Sequence, residues 1–413
     1  MEYSLETEGD ILRVVVIGAG ASGLTCAISL VRRNIDVTVI DRFSSSGKKL
    51  LVTGNGRCNY WNEDFDNRHF FSNNMDFVEK VNTEKNRESV LDFFNSIGIV
   101  PTIKNGYYYP MSMQASSIRD SLLLEATRLG VKFWNDLNIL EVKDANDNFF
   151  IKGDNGLLNA HKLVIACGSY SHYKDKTTGY DILKKYGHTI KPVLPALVQL
   201  VGNDSFYKDW AGVRSNAKVS LVIDDKKVKE DSGEVMLTDY GISGICVFNL
   251  SGAANRALND NKKVKVIVNC LPEINNLKEF FEERSKKIDY SLRDFLVSLL
   301  NIKLVDIILK ICDLNKKKKW KDLNEVEKDN LVKTITSFEV NIVSSKSYDS
   351  AQVCTGGVDT SEIDPLTMES RLRKGLYVVG EVLDVDGDCG GYNLGFAWLT
   401  GLIAGRSVKN DRD

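Results

Sequence analysis

An apolar run ending at Ile17 leads straight into Gly18-Ala-Gly20-Ala-Ser22-Gly23, and a segment of helical character follows to about Arg33. DVTVI, Asp36 to Ile40, comes next and is closed by Asp41. Strand, glycine turn, helix, strand and terminal carboxylate, in that order, make the βαβ unit that holds a dinucleotide pyrophosphate. Gly18 permits the tight turn. Gly20 lets backbone N–H groups approach the pyrophosphate, and Gly23 lets helix and strand pack closely. The helix N-terminus offers unpaired N–H donors and the positive end of its dipole. Asp41, 18 residues past Gly23, stands where a carboxylate accepts from ribose hydroxyls. Ser22, inside the turn, and Arg42, beside the carboxylate, complete the candidate contacts at this end.

The far end of the chain returns to the same chemistry. GLYVVGEVLD, Gly375 to Asp384, is an apolar strand running into Gly380-Glu381. An acidic residue there suits the ribityl hydroxyls of FAD, a longer cofactor than NAD. The next stretch, GDCGGYNLGFAWLTGLIAG, is a glycine-rich loop opening an apolar helix. Its start at Gly391, Tyr392, Asn393 and Leu394 suits the N1–C2=O edge of an isoalloxazine ring, where a helix dipole favours the negative charge of reduced flavin.

Between these ends the pattern changes several times. Residues 86–134 read as helix interrupted by a hairpin, VPTIKNGYYYP, turning at Asn105-Gly106. Val131 to Leu163 reads as a strand meander with turns at DAND and GDNG. KLVIACG is a buried strand ending in a glycine, which makes Ala166 and Gly168 candidate contacts. Residues 195–270 read as strands and turns, and 272–333 as lysine-rich amphipathic helix. Phe295 to Cys312 reads as one amphipathic helix, with apolar residues at 296, 299, 300, 304, 307, 308 and 311.

Composition removes several classes. Net charge is −2 and the pI about 6.2, so bulk charge does not single out a nucleic-acid partner. Eight cysteines are scattered without a CxxC pair and only four histidines are present, so neither a zinc site nor a disulfide framework is expected. The acidic start, MEYSLETEGD, lacks the pattern of a signal peptide, and no apolar run reaches the length of a membrane span. A cytoplasmic protein with reduced thiols is the expectation.

The stretches GAGASGL, GKKLLVTGNGRCNYWN, GEVMLTDYGISG, TGGVD…IDPLTMESRLRKGLYVVGEVLDVDGDCGGYNLGFAW and the closing GLIAG occur in order over nearly the whole chain. By these residues the chain resembles the BaiN/RdsA-type NAD(P)/FAD-dependent oxidoreductases, flavoproteins of the two-dinucleotide-binding-domain type. The resemblance implies an α/β fold: a discontinuous Rossmann-like FAD-binding domain (1–194 and 341–413), an inserted β-rich domain (195–271 and 334–340) and a helical subdomain (272–333). It implies FAD and the reduction of an activated C=C bond with electrons from NAD(P)H. Members are linked to an unsaturated steroid ketone and to a uridine of ribosomal RNA. The chain departs from the family pattern at Asp41, where Glu is usual, at a shortened loop from Ala166 to Asp181, and at Asp239 and Ile245, where His and Pro are common.

In such a fold GKKLLVTGNGRCN traces the cofactor from pyrophosphate to ring. Lys49, Leu50, Gly54, Gly56, Arg57, Cys58 and Asn59 become candidate contacts, with Arg57 suited to an oxyanion and Asn59 to a ring edge. Thr355-Gly356-Gly357 resembles a loop that touches the flavin in related reductases. Reduction needs a proton as well as a hydride. Cys58, Asp239, Tyr240 and Tyr392 are rival donors, and Cys58 also reads, more readily, as a small residue packed against the cofactor. The tyrosines at 107–109 suit either stacking on a planar substrate or packing on the sheet. Lys316 to Lys321, KKKKWK, reads either as a solvated helix end or as a grip on an RNA backbone with Trp320 stacking a base.

Three functions compete on this sequence: a small-molecule ene-reductase, a ribosomal RNA uridine reductase (a dihydrouridine synthase), and a non-catalytic flavin-bound redox sensor. No second dinucleotide fingerprint is visible. NAD(P)H is therefore expected as a transient reductant at the ring face, unless another flavin or a protein supplies the electrons.

Overall fold

A computed structural model describes residues 12–145, 148–171 and 178–409. The acidic N-terminus, part of the DAND turn and residues 172–177 of the shortened loop before Asp181 lie outside the described residues. The chain divides into two compact units, one of residues 1–193 and 353–413, the other of residues 194–352.

The first unit is built on a five-stranded parallel sheet. Its strands are β1 (Arg13–Ile17), β2 (Asp36–Ile40), β3 (Lys132–Trp134), β4 (Lys162–Ile165) and β5 (Leu376–Val378), in spatial order β5-β4-β1-β2-β3. RVVVI, DVTVI and KLVI are β-branched and mostly buried, as strands covered on both faces require. The first crossover is helix α1 (Ala21–Val31). It begins at Gly20, so the glycine turn lies between the end of β1 and the first helical turn. A Cβ on Gly23 would overlap the carbonyl oxygen of Gly18, and one on Gly18 would overlap that of Ala166 at the end of β4. Both positions are glycine because backbone occupies the space.

The closing helix, α2 (Tyr392–Ser407), is buried along almost its whole length. It packs directly on α1, and its glycines make that possible. A Cβ on Gly401 would lie 2.5 Å from Ser22 O, and one on Gly405 would strike the Ser29 side chain. GLIAG is thus a close helix–helix seam that brings the last helix of the chain against the first. The hairpin Pro101–Lys104/Tyr107–Pro110 forms as the sequence reads, with Asn105 and Gly106 both at positive φ.

The second unit contains a closed six-stranded antiparallel barrel made from Leu200–Gly202, Arg214–Ile223, Lys226–Thr238, Gly241–Ser243, Val264–Asn269 and Phe338–Ser345. The sequence reads 195–270 as strands and turns only. The structure instead has a helix at Ile245–Asn259. Its glycine, serine and asparagines suggest turns, but Val247, Leu250, Ala254 and Ala257 recur at helical spacing and are buried. The single helix expected over Phe295–Cys312 is two, Leu292–Leu296 and Ile302–Ile311. Asn301 ends the continuity by capping the second through the N–H of Lys303. Barrel strands and the helices of residues 277–336 share one hydrophobic core, and the last barrel strand runs on to Ser345.

Candidate functional site

The first unit brings the two glycine-rich ends of the chain together. Gly380, at positive φ, abuts Ser22, and its N–H donates to Thr400 Oγ1 of α2 at 3.0 Å. Candidate contacts from residues 18–23 and from residues 380–394 therefore belong to one neighbourhood.

Asp41 braces the glycine turn. The N–H of Ala19 donates to Asp41 Oδ2 at 2.7 Å and that of Phe43 to Oδ1 at 2.9 Å. Burial raises its carboxyl above the ordinary value, against the lowering effect of these two bonds. Each oxygen keeps a lone pair for a ribose hydroxyl. Arg42 lies 4.9 Å over the Phe43 ring.

Glu381 is the most heavily engaged carboxylate of the site. Lys49 Nζ lies 2.6 Å from Oε2. Oε1 accepts from Ser169 Oγ at 2.5 Å, Ser171 Oγ at 3.1 Å and the N–H of Cys354 at 3.1 Å. Ser169 and Ser171 escape the sequence reading. Their only signal is a place just past β4, two residues apart, next to a loop that lies partly outside the described residues. Thr355, Gly356 and Gly357 follow Cys354, and Gly357 packs on the backbone of Val382 and Leu383.

The segment from Lys48 to Gly56 is a broken 3₁₀ turn, with Gly54, Asn55 and Gly56 all at positive φ. Leu50 is buried, while Gly54, Gly56 and Arg57 are exposed. Cys58 is 0 % exposed and lies in the hydrophobic core, where burial pushes its thiol up to about 12. Asn59 Oδ1 is buried without a hydrogen-bond partner among the described residues, and a Cβ on Gly391 would lie 3.1 Å from it. It is an acceptor facing the entrance of α2.

At that entrance Gly391 is the N-cap, in the left-handed region, and no side chain caps the helix. The Asn393 side chain is committed to the preceding loop: its Oδ1 accepts from the N–H of Gly387 at 2.9 Å, and its Nδ2 donates to Gly387 O at 2.8 Å. What Asn393 and Leu394 can offer a ligand is backbone N–H. A cavity of about 10 Å³ beside them is lined by Phe70, Glu381, Val385, Gly387, Asn393 and Phe396, so the Glu381 cluster and the helix entrance share one hollow. Tyr392 is buried, and burial raises its phenol. Its ring stacks on His69 with centroids 4.4 Å apart, and His69 sits between Asp64 and Asp388.

Asp239 and Tyr240 belong to the second unit, on the turn between two barrel strands. Lys346 Nζ lies 3.7 Å from the centre of the Tyr240 ring. The tyrosines at 107–109 are half-buried, and Tyr108 meets Tyr60 edge to face. The base-stacking role open to Trp320 is corrected by its position. It is 1 % exposed, packed among Phe281 and Phe295 in the core of the second unit. Four of the five neighbouring lysines are paired: Lys316 with Asp306, Lys318 with Glu327, and Lys319 and Lys321 with the single carboxylate of Asp289. Among the described residues no helix is long and apolar enough to cross a membrane, and no group of three or more His, Cys, Asp or Glu is placed to hold a metal.

The donor set fits a flavin dinucleotide. A Cβ on Gly20 would meet nothing within 4 Å, so the turn leaves open space in which a pyrophosphate would have room to approach the N-terminus of α1. Asn59 Oδ1 is an acceptor for an imide N–H, and the uncapped start of α2 supplies donors for a carbonyl edge.

The HI0933-like protein Rossmann domain model matches residues 12–407. A 3-dehydro-bile acid delta(4,6)-reductase of Clostridium scindens is 36 % identical over 403 residues, covering 96 % of this chain and 98 % of that protein. Two ribosomal RNA dihydrouridine synthases, from Escherichia coli and Haemophilus influenzae, are each 28 % identical, covering 95 % and 96 % of this chain and 98 % of each of those proteins. The chain belongs to the HI0933-like Rossmann family, with additional barrel and helical regions.

Proposed function

We propose that this protein is an FAD-dependent oxidoreductase that reduces an activated, carbonyl-conjugated C=C bond with electrons from NAD(P)H. The observation that carries the reading is the junction in one unit of the glycine turn at 18–23, the Glu381 cluster and the uncapped start of α2, which together suit pyrophosphate, ribityl and ring. The names of the relatives support the reaction class. A delta(4,6)-reductase and a dihydrouridine synthase both saturate a C=C bond.

The bound flavin would supply hydride chemistry. Backbone N–H groups at Gly20 and beyond would hold phosphate oxygens, and Asp41 would accept from the adenosine ribose. Glu381, fixed by Lys49, Ser169 and Ser171, would hold the ribityl chain. Asn59 and the start of α2 fix the ring edge, where the helix N-terminus favours negative charge.

A small unsaturated ketone is the preferred substrate class. The higher identity is to the bile-acid enzyme, and four lysines of the run that suited RNA already contact carboxylates beside a buried Trp320. A uridine of ribosomal RNA is the second reading, favoured by the two synthases. A purely flavin-bound sensor is the third, and the half-exposed rim at Arg57 and the tyrosine hairpin, which leaves a substrate an approach, disfavours it. The purified protein is expected to carry about one FAD per chain, bleached anaerobically by NADH or NADPH. A colourless protein that takes up no added FAD would refute the proposal.

A further inference from the structure

The two faces of the tyrosine hairpin differ in character. Cross-strand partners of an antiparallel pair share a face, and successive residues alternate between faces. Thr102 stands opposite Tyr109, Ile103 opposite Tyr108 and Lys104 opposite Tyr107. On the other side of the inner strand, Trp61 stands opposite Tyr108 and Asn62 opposite Tyr107. One face of the inner strand therefore carries Tyr108 and Pro110, beside Trp61. Pro110 and Trp61 are buried, and Tyr108 meets Tyr60 edge to face. This is the packing face.

The opposite face carries Tyr107 and Tyr109, both half-buried. Met111 continues it just past the strand, and its N–H donates to Val100 O at 2.9 Å. Met111 is 62 % exposed and Val100 55 %. Two aromatic rings and two apolar side chains thus form a row that the first unit leaves open. Exposed apolar groups set side by side mark a surface that something covers.

One end of this row lies at the candidate ring site. Asn62 Nδ2 donates to Gly390 O at 2.9 Å. A Cβ on Gly390 would lie 3.0 Å from the Tyr107 ring and 2.9 Å from that of Tyr392, the first residue of α2. Tyr107 therefore borders the entrance of α2, where the ring edge is expected. A strand rises about 3.3 Å per residue, so Met111 lies about 13 Å further on, which leaves room for several fused rings. Polarity follows the same direction. Lys104 flanks Tyr107 at the near end, and the far end is Met111 and Val100.

We propose that this face seats the substrate. The flat apolar body of a fused-ring ketone lies along Tyr109 and Met111, with its conjugated carbonyl end at Tyr107. The inference rests on the proposed reaction and narrows its substrate from any enone to an extended polycyclic one. Tyrosine rings offer broad apolar faces, and a thioether adapts to an irregular edge. A one-ring enone reaches only Tyr107 and gains nothing from the rest of the row.

The first test measures binding without turnover, by equilibrium dialysis of a saturated four-ring ketone against the FAD-loaded protein. The ketone is expected to bind. Tyr109→Ser should weaken it about tenfold, and Met111→Asp, at an exposed position, at least tenfold, because the apolar body would cover a charge. A four-ring ketone that does not bind, or binds equally well to the unaltered protein and to Met111→Asp, would overturn the inference. The second test is kinetic. At equal FAD content, the ratio of kcat/KM for an unsaturated four-ring ketone to that for cyclohex-2-enone should fall at least tenfold in Met111→Asp. An unchanged ratio would overturn the inference. The reaction reading fails separately: a four-ring ketone that binds, and is lost in Met111→Asp, but never reoxidises the reduced flavin would remove the reaction and keep the platform. A uridine oligonucleotide that binds in place of the ketone and is released by the same substitution would overturn it.

Discussion

Lys49 Nζ and Glu381 Oε2 lie 2.6 Å apart, which ties the segment after β2 to the segment after β5 across 332 residues of sequence. Both side chains are largely buried, so neither charge is free to find water if the other is removed. Glu381→Gln should lower FAD retention at least tenfold and cost about 1–3 kcal/mol of stability, the usual range for stranding a buried polar partner. Flavin content after gel filtration and thermal unfolding of the apoprotein read the two effects separately.

Two glycines of the same turn should behave differently. Gly20→Val adds a side chain into space the chain does not fill, so the protein should fold with a melting temperature within a few degrees while losing FAD. At Gly23 the Cβ would overlap the carbonyl of Gly18, so Gly23→Val should fail to give soluble, folded protein. Circular dichroism and flavin stoichiometry on the pair check this. Stoichiometric flavin in Gly20→Val would remove the pyrophosphate assignment.

Cys58 is open to a chemical and a packing role on sequence, and its burial in the core favours packing. A fully buried thiol pushed up to about 12 is a poor proton donor near neutral pH. Cys58→Ala should leave flavin reoxidation within about twofold of the original rate and lower stability by about 1 kcal/mol, as loss of a small buried side chain does. Stopped-flow reoxidation and urea unfolding decide between the two roles.

Trp320 should matter to folding and not to RNA. Trp320→Ala should destabilise the second unit by about 3–5 kcal/mol, as loss of a buried aromatic does. Replacing Lys316 and Lys318 by Ala should leave RNA affinity unchanged, because each already pairs with a carboxylate. Urea unfolding and a filter-binding titration at fixed salt are the readouts.

His188, whose side chain is 0 % exposed, contributes a pH dependence of its own. Nδ1 faces Glu362 Oε2 at 3.0 Å, and Nε2 faces Ser370 Oγ at 2.8 Å. This looks like a hydrolytic triad, but Ser370 Oγ already accepts from the N–H groups of Leu372 and Arg373 and is buried. Burial lowers the His188 imidazole below its ordinary value. The unfolded chain therefore takes up this proton first as pH falls, so the stability contribution is full above about pH 6.5 and is lost below it. The melting temperature should fall as the pH drops below about 6.5, and less steeply in His188→Gln.

The ends of the site were legible because their chemistry is local. GAGASG, Asp41 and the GEVLD strand end each carry their meaning in a few consecutive residues, and the structure sets them together. Pairings across long separations were not legible. Ser169, Ser171 and Lys49 meet at Glu381, and His69 meets Asp388 319 residues away, only because the sheet and α2 close the first unit. The Ile245–Asn259 helix was hidden by turn-forming residues at positions where tertiary packing overrides local preference. The run around Trp320 stays open to two readings on sequence for a related reason. A charged run announces a surface, but four of its lysines fold back on nearby carboxylates around a buried ring.

The most direct test of the proposed reaction is anaerobic. The flavin of the purified protein is reduced with one equivalent of NADPH or dithionite, and its absorbance is followed on adding either an unsaturated bile-acid ketone or ribosomal RNA lacking dihydrouridine. Reoxidation by the ketone, with the product heavier by two hydrogens, is the expected result. Flavin that stays reduced with the ketone, or is reoxidised by the RNA alone with a two-dalton gain on one uridine, would contradict reduction of a small unsaturated ketone as the activity of this protein.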